Sequence, residues 1–143
     1  MNHPEGVIVS QRAPEPVGPY PHGRRVGNLI FVSGIGPRRR GETAIPGVRL
    51  QADGGKAGYD FEVQCRSTLD NIRMILEDAG SSLDEVVDVT VYLTNMRDDF
   101  QTMNRIYAEY FTTNRPARTT VEVTALPTPI AVEIKVVAHC PRT

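Results

Sequence analysis

An arginine and a glutamate near the carboxyl end of the chain have side chains that could take part in catalysis. Arg118 falls in an alternating stretch, residues 117–123, and Glu133 in a second one, residues 130–139. If the two stretches form a hairpin that turns near Pro127, residues that face each other have numbers that sum to about 255. The side chains of Arg118 and Glu133 then lie on the same face of the sheet. A guanidinium can grip a carboxylate with two hydrogen bonds, and a carboxylate can deprotonate water. The pair predicts a site where water attacks a small organic acid.

The same hairpin would bring Thr120 and Glu122 to the face of Glu133 and Lys135. Opposite charges on one face of a sheet commonly form a salt bridge or a cross-strand ladder with no catalytic role. On spacing alone this structural explanation is the simpler one, and it stays open beside the catalytic interpretation.

Two helices are predicted where apolar side chains recur three and four residues apart. The first covers residues 61–79 and the second ends at Phe111. Asp60 can cap the beginning of the first helix, and Gly80 can end it. Asp98 or Asp99 can cap the beginning of the second helix, and Pro116 prevents it from continuing. Each helix therefore has one face to bury.

Alternating or β-branched stretches predict the strands that these helices cover. One strand covers residues 86–93, with Val87, Val89, Val91 and Leu93 on a single face. The others are residues 7–9 at an edge, 28–34 in the centre, 48–50, 117–123 and 130–139. In the last of these, Glu133 and Val137 point away from the face of Ile134 and Val136.

This order of elements predicts one α+β domain, residues 1–143, with both helices on one face of a mixed sheet. No further helix is left to cover the face that carries Glu133 and Val137. We therefore expect self-association to bury that face.

The composition excludes several classes of protein. The chain has 143 residues, of which 40% are hydrophobic and 23% charged, as in a globular domain with a substantial core. The 16 Lys and Arg against 17 Asp and Glu leave a net charge of −1, so neither nucleic acid nor a membrane is expected as a partner. Two distant cysteines, no metal-ligand spacing and no leader or membrane-spanning run predict a cytoplasmic protein without a disulfide or a metal site.

Several motifs, ordered along the chain from about Pro19 to Ala138, resemble the reactive-intermediate deaminase family, also known as RidA or YjgF. They are Gly18-Pro19-Tyr20, Val32-Ser33-Gly34, Asn104-Arg105-Ile106-Tyr107, Pro116-Ala117-Arg118, Leu126-Pro127 and Val132-Glu133-Ile134. The resemblance implies a fold similar to chorismate mutase of the bacterial trimeric type. It also implies a homotrimer with ligand clefts between subunits, and a hexamer is a further option.

The resemblance implies roles for individual residues. Arg118 matches the arginine that anchors the substrate carboxylate, and Glu133 matches the glutamate that positions the hydrolytic water. Tyr20, Ser33 and Asn104 match residues that line the same pocket. Each of these three also has a structural explanation, as a packed turn aromatic, a strand end and an exposed helical position.

The chain departs from the common family pattern at two places. Thr120 stands where many members have cysteine, although its hydroxyl could still bind a ligand. The glutamine that commonly follows Ser33-Gly34 is absent, and an arginine triplet, residues 38–40, comes soon afterwards. The arginine triplet, together with residues 21–34 and 124–130, most resembles the sequence of the 2-aminomuconate deaminase branch, from bacterial aromatic catabolism.

The substrate of that branch is a dicarboxylate enamine. Each of its two carboxylates needs a cationic side chain to bind it, because an unpaired anion is costly to bury. Arg118 would hold one carboxylate. Candidates to bind the second carboxylate are Arg24, Arg38, Arg39 and Arg40, and we include Arg38 among the predicted substrate-binding residues. The alternative for the arginine triplet is a solvated surface without a binding role. His22 could protonate the enamine carbon, since its ordinary pKa of about 6.5 suits that task. A structural histidine is the simpler explanation.

The predicted reaction begins with the enamine as its 2-imine tautomer. Water held by Glu133 adds to the imine carbon, ammonia leaves and a 2-oxo acid remains. No metal or organic cofactor is expected, because an iminium carbon is already electrophilic. One alternative is a broad-specificity deaminase of 2-imino acids such as 2-aminoacrylate. Another is a non-catalytic metabolite-binding or regulatory protein.

Overall fold

The fold is a six-stranded mixed sheet with two helices on one face, as the sequence predicts. The computed structural model describes residues 5–141, apart from the Lys56 side chain, so the two ends of the predicted domain, residues 1–4 and 142–143, lie outside it. The strands are β1 (Val7–Ile8), β2 (Gly23–Val26), β3 (Leu29–Val32), β4 (Val48–Leu50), β5 (Lys56–Tyr59), β6 (Val86–Leu93), β7 (Ala117–Glu122) and β8 (Val132–His139). The helices are α1 (Phe61–Asp78) and α2 (Met96–Tyr110), with a short 3₁₀ helix at Leu83–Glu85.

The sheet has the strand order β1-β2-β3-β8-β6-β7, and β4 pairs with β5 in a separate hairpin. All neighbours in the large sheet are antiparallel except β6 and β7, which run parallel. The short β1 is at one edge, as predicted, and β7 is at the other. Two strands were not expected: β2, whose arginines hide the strand pattern, and β5, which was predicted as a turn.

The predicted hairpin between β7 and β8 is wrong, because β6 lies between the two strands. The connection after β7 crosses the end of β6: the Val123 amide donates to the Leu93 carbonyl at 2.8 Å, and the Thr94 amide donates to the Ala131 carbonyl at 3.2 Å. These bonds fix both strands to β6 rather than to each other. Sequence spacing cannot distinguish a tight hairpin from a connection that passes over a third strand.

Both helices pack against the face formed by alternate residues of the central strands. Helix α1 begins where the Asp60 side chain accepts from the Val63 amide at 3.2 Å, and its continuation ends at Gly80, which has a φ of +86°. The core residues shared by the helices and the sheet include Leu69, Ile72, Val89, Val91, Leu93, Ile106, Ile134 and Val136. Val87 was predicted on this face but is exposed, because an irregularity in the pairing of β6 with β8 near Val86 shifts the alternation there.

Helix α2 begins at Met96, three or four residues earlier than a cap at Asp98 or Asp99 would place its start. Its cap is Asn95, whose side-chain oxygen accepts from the Asp98 amide at 3.0 Å, so Asp98 and Asp99 lie in the first turn instead of capping it. Carboxylates are favourable there because they face the positive end of the helix dipole. The helix ends at Tyr110, well before Pro116.

No helix covers the opposite face of the sheet within residues 5–141. Phe31 and Leu29 of β3 and Val121 of β7 are exposed there, and Glu133 and Val137 of β8 point to the same side. We name this side of the sheet the open face. Within the same residues, neither helix is long and apolar enough to cross a membrane.

Candidate active site in two halves

Arg118 lies at the sheet edge, on the helix-covered face. Strand pairing places it opposite Val89, a core residue, and its guanidinium lies beneath α2. Its Nε donates to Thr120 Oγ1 at 2.8 Å. Its Cζ is 4.6 Å from the centre of the Tyr107 ring and 5.8 Å from that of Phe100, which are cation–π distances. One hydroxyl and two aromatic rings therefore hold this cation.

The charge on Arg118 is not neutralised within the described residues. No carboxylate pairs with it there, and its Nη2 is buried without a hydrogen-bond partner. Burial lowers its pKa, but an arginine keeps its proton at any physiological pH. The Tyr107 hydroxyl is also buried without a partner, and burial raises its pKa. This arrangement is chemically suited to bind a carboxylate.

Asn104 belongs to the same half of the site. It follows Phe100 by four residues and precedes Tyr107 by three, so the three side chains share one face of α2. The Asn104 side chain is exposed, on the helix face whose two rings lie against Arg118. We name Arg118, Thr120, Phe100, Asn104 and Tyr107 the arginine half.

Glu133 lies on the open face, paired with Tyr92 across β6. Its carboxylate is half-buried and has no hydrogen-bond or ion-pair partner among residues 5–141; this burial raises its pKa above the usual range. It packs against Gly34, where an added Cβ would lie 2.6 Å from Glu133 Oε2. Gly34 is therefore required for the carboxylate to take this position.

Tyr20 and Ser33 are linked to Glu133 through Gly34, which contacts the Glu133 carboxylate; Glu133 itself does not line the cavity of Tyr20 and Ser33. Both line a small cavity of about 30 Å³ together with Gly34 and Arg38. The Ser33 hydroxyl donates to the Pro21 carbonyl at 2.7 Å, which fixes the loop that carries Tyr20. Tyr20 is 41% exposed and also lines a larger open cavity of about 560 Å³. We name Glu133, Gly34, Ser33, Tyr20 and Arg38 the glutamate half.

His22 has a structural role. It is buried, its Nδ1 accepts from the Ser10 amide at 3.0 Å, and its Nε2 lies 2.8 Å from the Pro14 carbonyl. Because the first bond needs a lone pair on Nδ1, we assign the proton to Nε2, and both ring nitrogens are then engaged. The ring fixes the amino-terminal segment to β2, and this geometry favours the structural alternative over a proton donor.

The loop arginines differ in how far they are already engaged. Arg40 donates to the carbonyls of Ala13 and Ser10 and forms an ion pair with Glu15, so it holds the amino-terminal segment in place. Arg38 donates once, to the Glu15 carbonyl at 2.7 Å, and borders the cavity of Tyr20 and Ser33. Arg24 and Arg39 are exposed. Of the triplet, Arg38 lines the small cavity of Tyr20 and Ser33, and Arg40 lines the larger cavity of Tyr20, which Arg24 also lines.

The two halves do not meet within one chain, contrary to the predicted shared face. Arg118 pairs with Val89, and Val89 pairs with Val136 of β8. Glu133 precedes Val136 by three residues, so its side chain points to the other face of the sheet. The backbones of Arg118 and Glu133 are separated by two strand spacings, about 10 Å, and by a similar distance along the strands. The prediction failed because it assumed a direct β7–β8 pairing, which would have put the two residues on one face.

Three residues of the site were not selected from the sequence. Phe100 and Tyr107 were assigned to the apolar stripe of α2, and Gly34 appeared only as part of a motif. The signal for the rings was their spacing around Asn104, a polar residue in that stripe. No local pattern could have shown that Gly34 contacts Glu133, because the contact joins two distant strands. Residues 5–141 contain no group of three or more His, Cys, Asp or Glu side chains arranged to hold a metal ion.

Comparison with known proteins establishes the family. Residues 10–140 match the family model described as endoribonuclease L-PSP. The chain belongs to this family, which also includes the RutC, RidA and YjgF proteins. It is 40% identical over 134 residues to a RutC family protein of Pyrococcus abyssi, covering 93% of this chain and 95% of that one. The sequence-based recognition of the family is therefore confirmed.

Two Escherichia coli relatives carry more specific descriptions. The 2-iminobutanoate/2-iminopropanoate deaminase is 34% identical over 135 residues, covering 92% of this chain and 95% of that protein. The crystal structure of TdcF with bound serine superposes with a TM-score of 0.79 at 31% identity, covering 96% of this chain and 98% of the other. The predicted fold of two helices on a mixed sheet is that of the solved family structures.

Proposed function

We propose that this protein is a deaminase that hydrolyses the carbon–nitrogen bond of a carboxylate-bearing imine or enamine. The observation that carries the proposal is a pair of half-buried charged groups. Within residues 5–141, Arg118 has no carboxylate partner and Glu133 has no hydrogen-bond or ion-pair partner. A structural salt bridge would have paired them with each other. The family relative that acts on 2-imino acids supports the same reaction class.

The proposed reaction divides the work between the two halves. Arg118 binds the carboxylate next to the carbon of the protonated imine, and Glu133 accepts a proton from a water molecule as that water attacks the carbon. The adduct carries a hydroxyl and an amino group on one carbon. Return of the proton from Glu133 to the nitrogen makes ammonia the leaving group. As the carbon–nitrogen bond breaks, the hydroxyl proton passes to Glu133 and from there to solvent, and a 2-oxo acid remains. The raised pKa of Glu133 suits it to accept and return this proton.

We propose that a second copy of the chain unites the halves, in a homotrimer with its clefts between subunits. The arginine half lies beside the edge strand β7, and the glutamate half opens on the open face. That face exposes Phe31, Leu29 and Val121, which association would remove from water. A partner approaching the open face with its β7 edge would place its Arg118 opposite Glu133. Pairing of trimers into a hexamer stays a prediction.

The preferred substrate that we propose is 2-aminomuconate, in bacterial aromatic catabolism. Its second carboxylate needs a second cation. Arg38 lines the cavity of Tyr20 and Ser33, and among the described residues it donates one hydrogen bond, to the Glu15 carbonyl. The adjoining cavity of about 560 Å³ shares Tyr20 with this one and has room for a six-carbon chain; its cations are Arg24 and Arg40, not Arg38. The competing candidate is a broad 2-imino acid deaminase, which the Escherichia coli relative favours.

Ammonia release distinguishes these substrates. Freshly formed 2-aminomuconate and 2-iminobutanoate, generated from an amino acid by an oxidase, are supplied to the wild type, Arg38→Ala and Glu133→Gln. We expect Arg38→Ala to raise KM about tenfold or more for the dicarboxylate only, since it loses a charge-assisted hydrogen bond. Equal effects of Arg38→Ala on both substrates would favour the broad deaminase. No release from either substrate by the wild type would leave the binding or regulatory alternative.

A further inference from the structure

Arg118 is held on several sides by side chains that the proposed reaction does not use. Thr120 accepts from its Nε, the Tyr107 ring lies against its guanidinium, and Phe100 lies farther out. We propose that Thr120 and Tyr107 are positioning residues that set the orientation of Arg118 for the substrate carboxylate. This inference rests on the proposed function, in which Arg118 binds that carboxylate.

The hydrogen bond that Arg118 donates to Thr120 determines which edge of the guanidinium is free. Residues 118 and 120 are two apart on β7, so their side chains lie on one face of the strand. A guanidinium has five donors, and the bond at 2.8 Å uses the Nε hydrogen. The two Nη atoms remain, and they form the fork that fits the two oxygens of a carboxylate. Thr120 thus leaves the end of the fork for the ligand.

The threonine is also a rigid support. Its β-branched side chain has few χ1 conformations, so its oxygen keeps a fixed direction from the strand. An oxygen is a stronger hydrogen-bond acceptor than the sulfur of a cysteine, which is only a weak one. The hydroxyl predicted from the sequence as a ligand contact therefore acts through Arg118 in this chain.

Tyr107 fixes the remaining freedom of the guanidinium, which is rotation out of its plane. Its ring centre is 4.6 Å from Cζ, and cation–π attraction strengthens where water is excluded. The guanidinium beside this ring carries the buried Nη2, which has no hydrogen-bond partner among the described residues. An arginine already ordered in this way loses less conformational entropy when the carboxylate binds. The expected consequence is tighter binding without a change in the chemical step.

The first test compares Thr120→Val, which keeps the shape but loses the acceptor, with Thr120→Ser, which keeps the hydroxyl. The readouts are the Kd for 2-oxobutanoate by calorimetry and the KM and kcat for 2-iminobutanoate. We expect Thr120→Val to raise Kd and KM about tenfold while kcat stays within about twofold, and Thr120→Ser to stay near the wild type. Equal values for the two variants, or a loss confined to kcat, would overturn the role of Thr120.

The second test separates the ring of Tyr107 from its hydroxyl. Tyr107→Phe keeps the ring and should keep Kd within about twofold, whereas Tyr107→Leu should raise it about fivefold or more. A loss in Tyr107→Phe as large as in Tyr107→Leu would overturn a positioning role for the ring. Binding of 2-oxobutanoate does not need turnover, so wild-type binding without activity refutes only the proposed function. If the wild type binds no 2-oxobutanoate, both proposals fail.

Discussion

At the scale of single residues, the most informative group is the Glu133 carboxylate. It is half-buried, packed against Gly34, and without an ion-pair or hydrogen-bond partner in residues 5–141. Burial without compensation disfavours the charged form, which is why its pKa is raised. A carboxylate kept in this state is a stronger base than one in water. Burial of this unpaired carboxylate costs stability, and a role in proton transfer is consistent with that cost.

The pH dependence of catalysis tests that role. The proposed base works only when ionised, so kcat/KM should fall as the pH is lowered through the pKa of Glu133. Because burial raises this pKa, we expect the acid limb above the ordinary carboxyl value of about 4.3. The measurement is a pH–rate profile with ammonia release as the readout. An acid limb at or below the ordinary value would argue against a desolvated base.

The Glu133→Gln variant provides the control for this profile. It should fold like the wild type, since the amide has nearly the shape of the carboxylate, and it should lose about 10²-fold or more of kcat. Any residual activity should lack the acid limb. Persistence of that limb in Glu133→Gln would assign it to another group.

At the scale of elements, the beginning of α2 decides how the arginine half is built. Phe100, Asn104 and Tyr107 reach the site only if the helix keeps its register, and Asn95 sets that register at the first turn. The Asn95 side-chain Nδ2 also donates to Asp98 Oδ2 at 2.9 Å, so each residue donates a hydrogen bond to the other. This exchange resembles a capping box, with the aspartate in the third position.

Removal of the cap should therefore destabilise the protein. We expect Asn95→Ala to lower the free energy of unfolding by about 1 kcal/mol, because the Asp98 amide loses its acceptor. Asn104→Ala is the matched control, since the same substitution at an exposed interior position of the helix should be neutral or slightly stabilising. Chemical denaturation at equal protein concentration measures both. Equal free energies for the two variants would contradict the capping role.

The elements also show where sequence reasoning succeeds. Helix α1 and strands β6 and β8 were predicted with nearly their observed bounds, because burial of one face leaves a period in the sequence. The strand neighbours could not be predicted in this way, since pairing joins residues far apart in the chain. The resemblance selected Arg118 and Glu133, but only the strand order shows that they point to opposite faces. Strand β2 was missed for a different, local reason: its two arginines break the apolar pattern.

At the scale of the whole molecule, the sheet separates two incomplete sites. One face supplies a cation beneath α2 at the β7 edge, and the other supplies a carboxylate beside Gly34. A single chain therefore lacks the pair that the proposed reaction needs, while its open face exposes Phe31, Leu29 and Val121. Association through that face would bury apolar surface and complete the site together. Oligomerisation and activity should consequently be lost together.

Mixed assemblies of two inactive variants test this coupling directly. Arg118→Ala chains keep Glu133 and Glu133→Gln chains keep Arg118, so each variant alone has no complete cleft. When the two are co-expressed with different tags and purified through both, every cyclic trimer contains one intact cleft out of three, and activity should return to about a third of the wild type. Native mass spectrometry verifies the composition of the assemblies. If verified mixed trimers stay as inactive as the separate variants, the two halves do not combine between chains, and the reaction proposed for them fails as well.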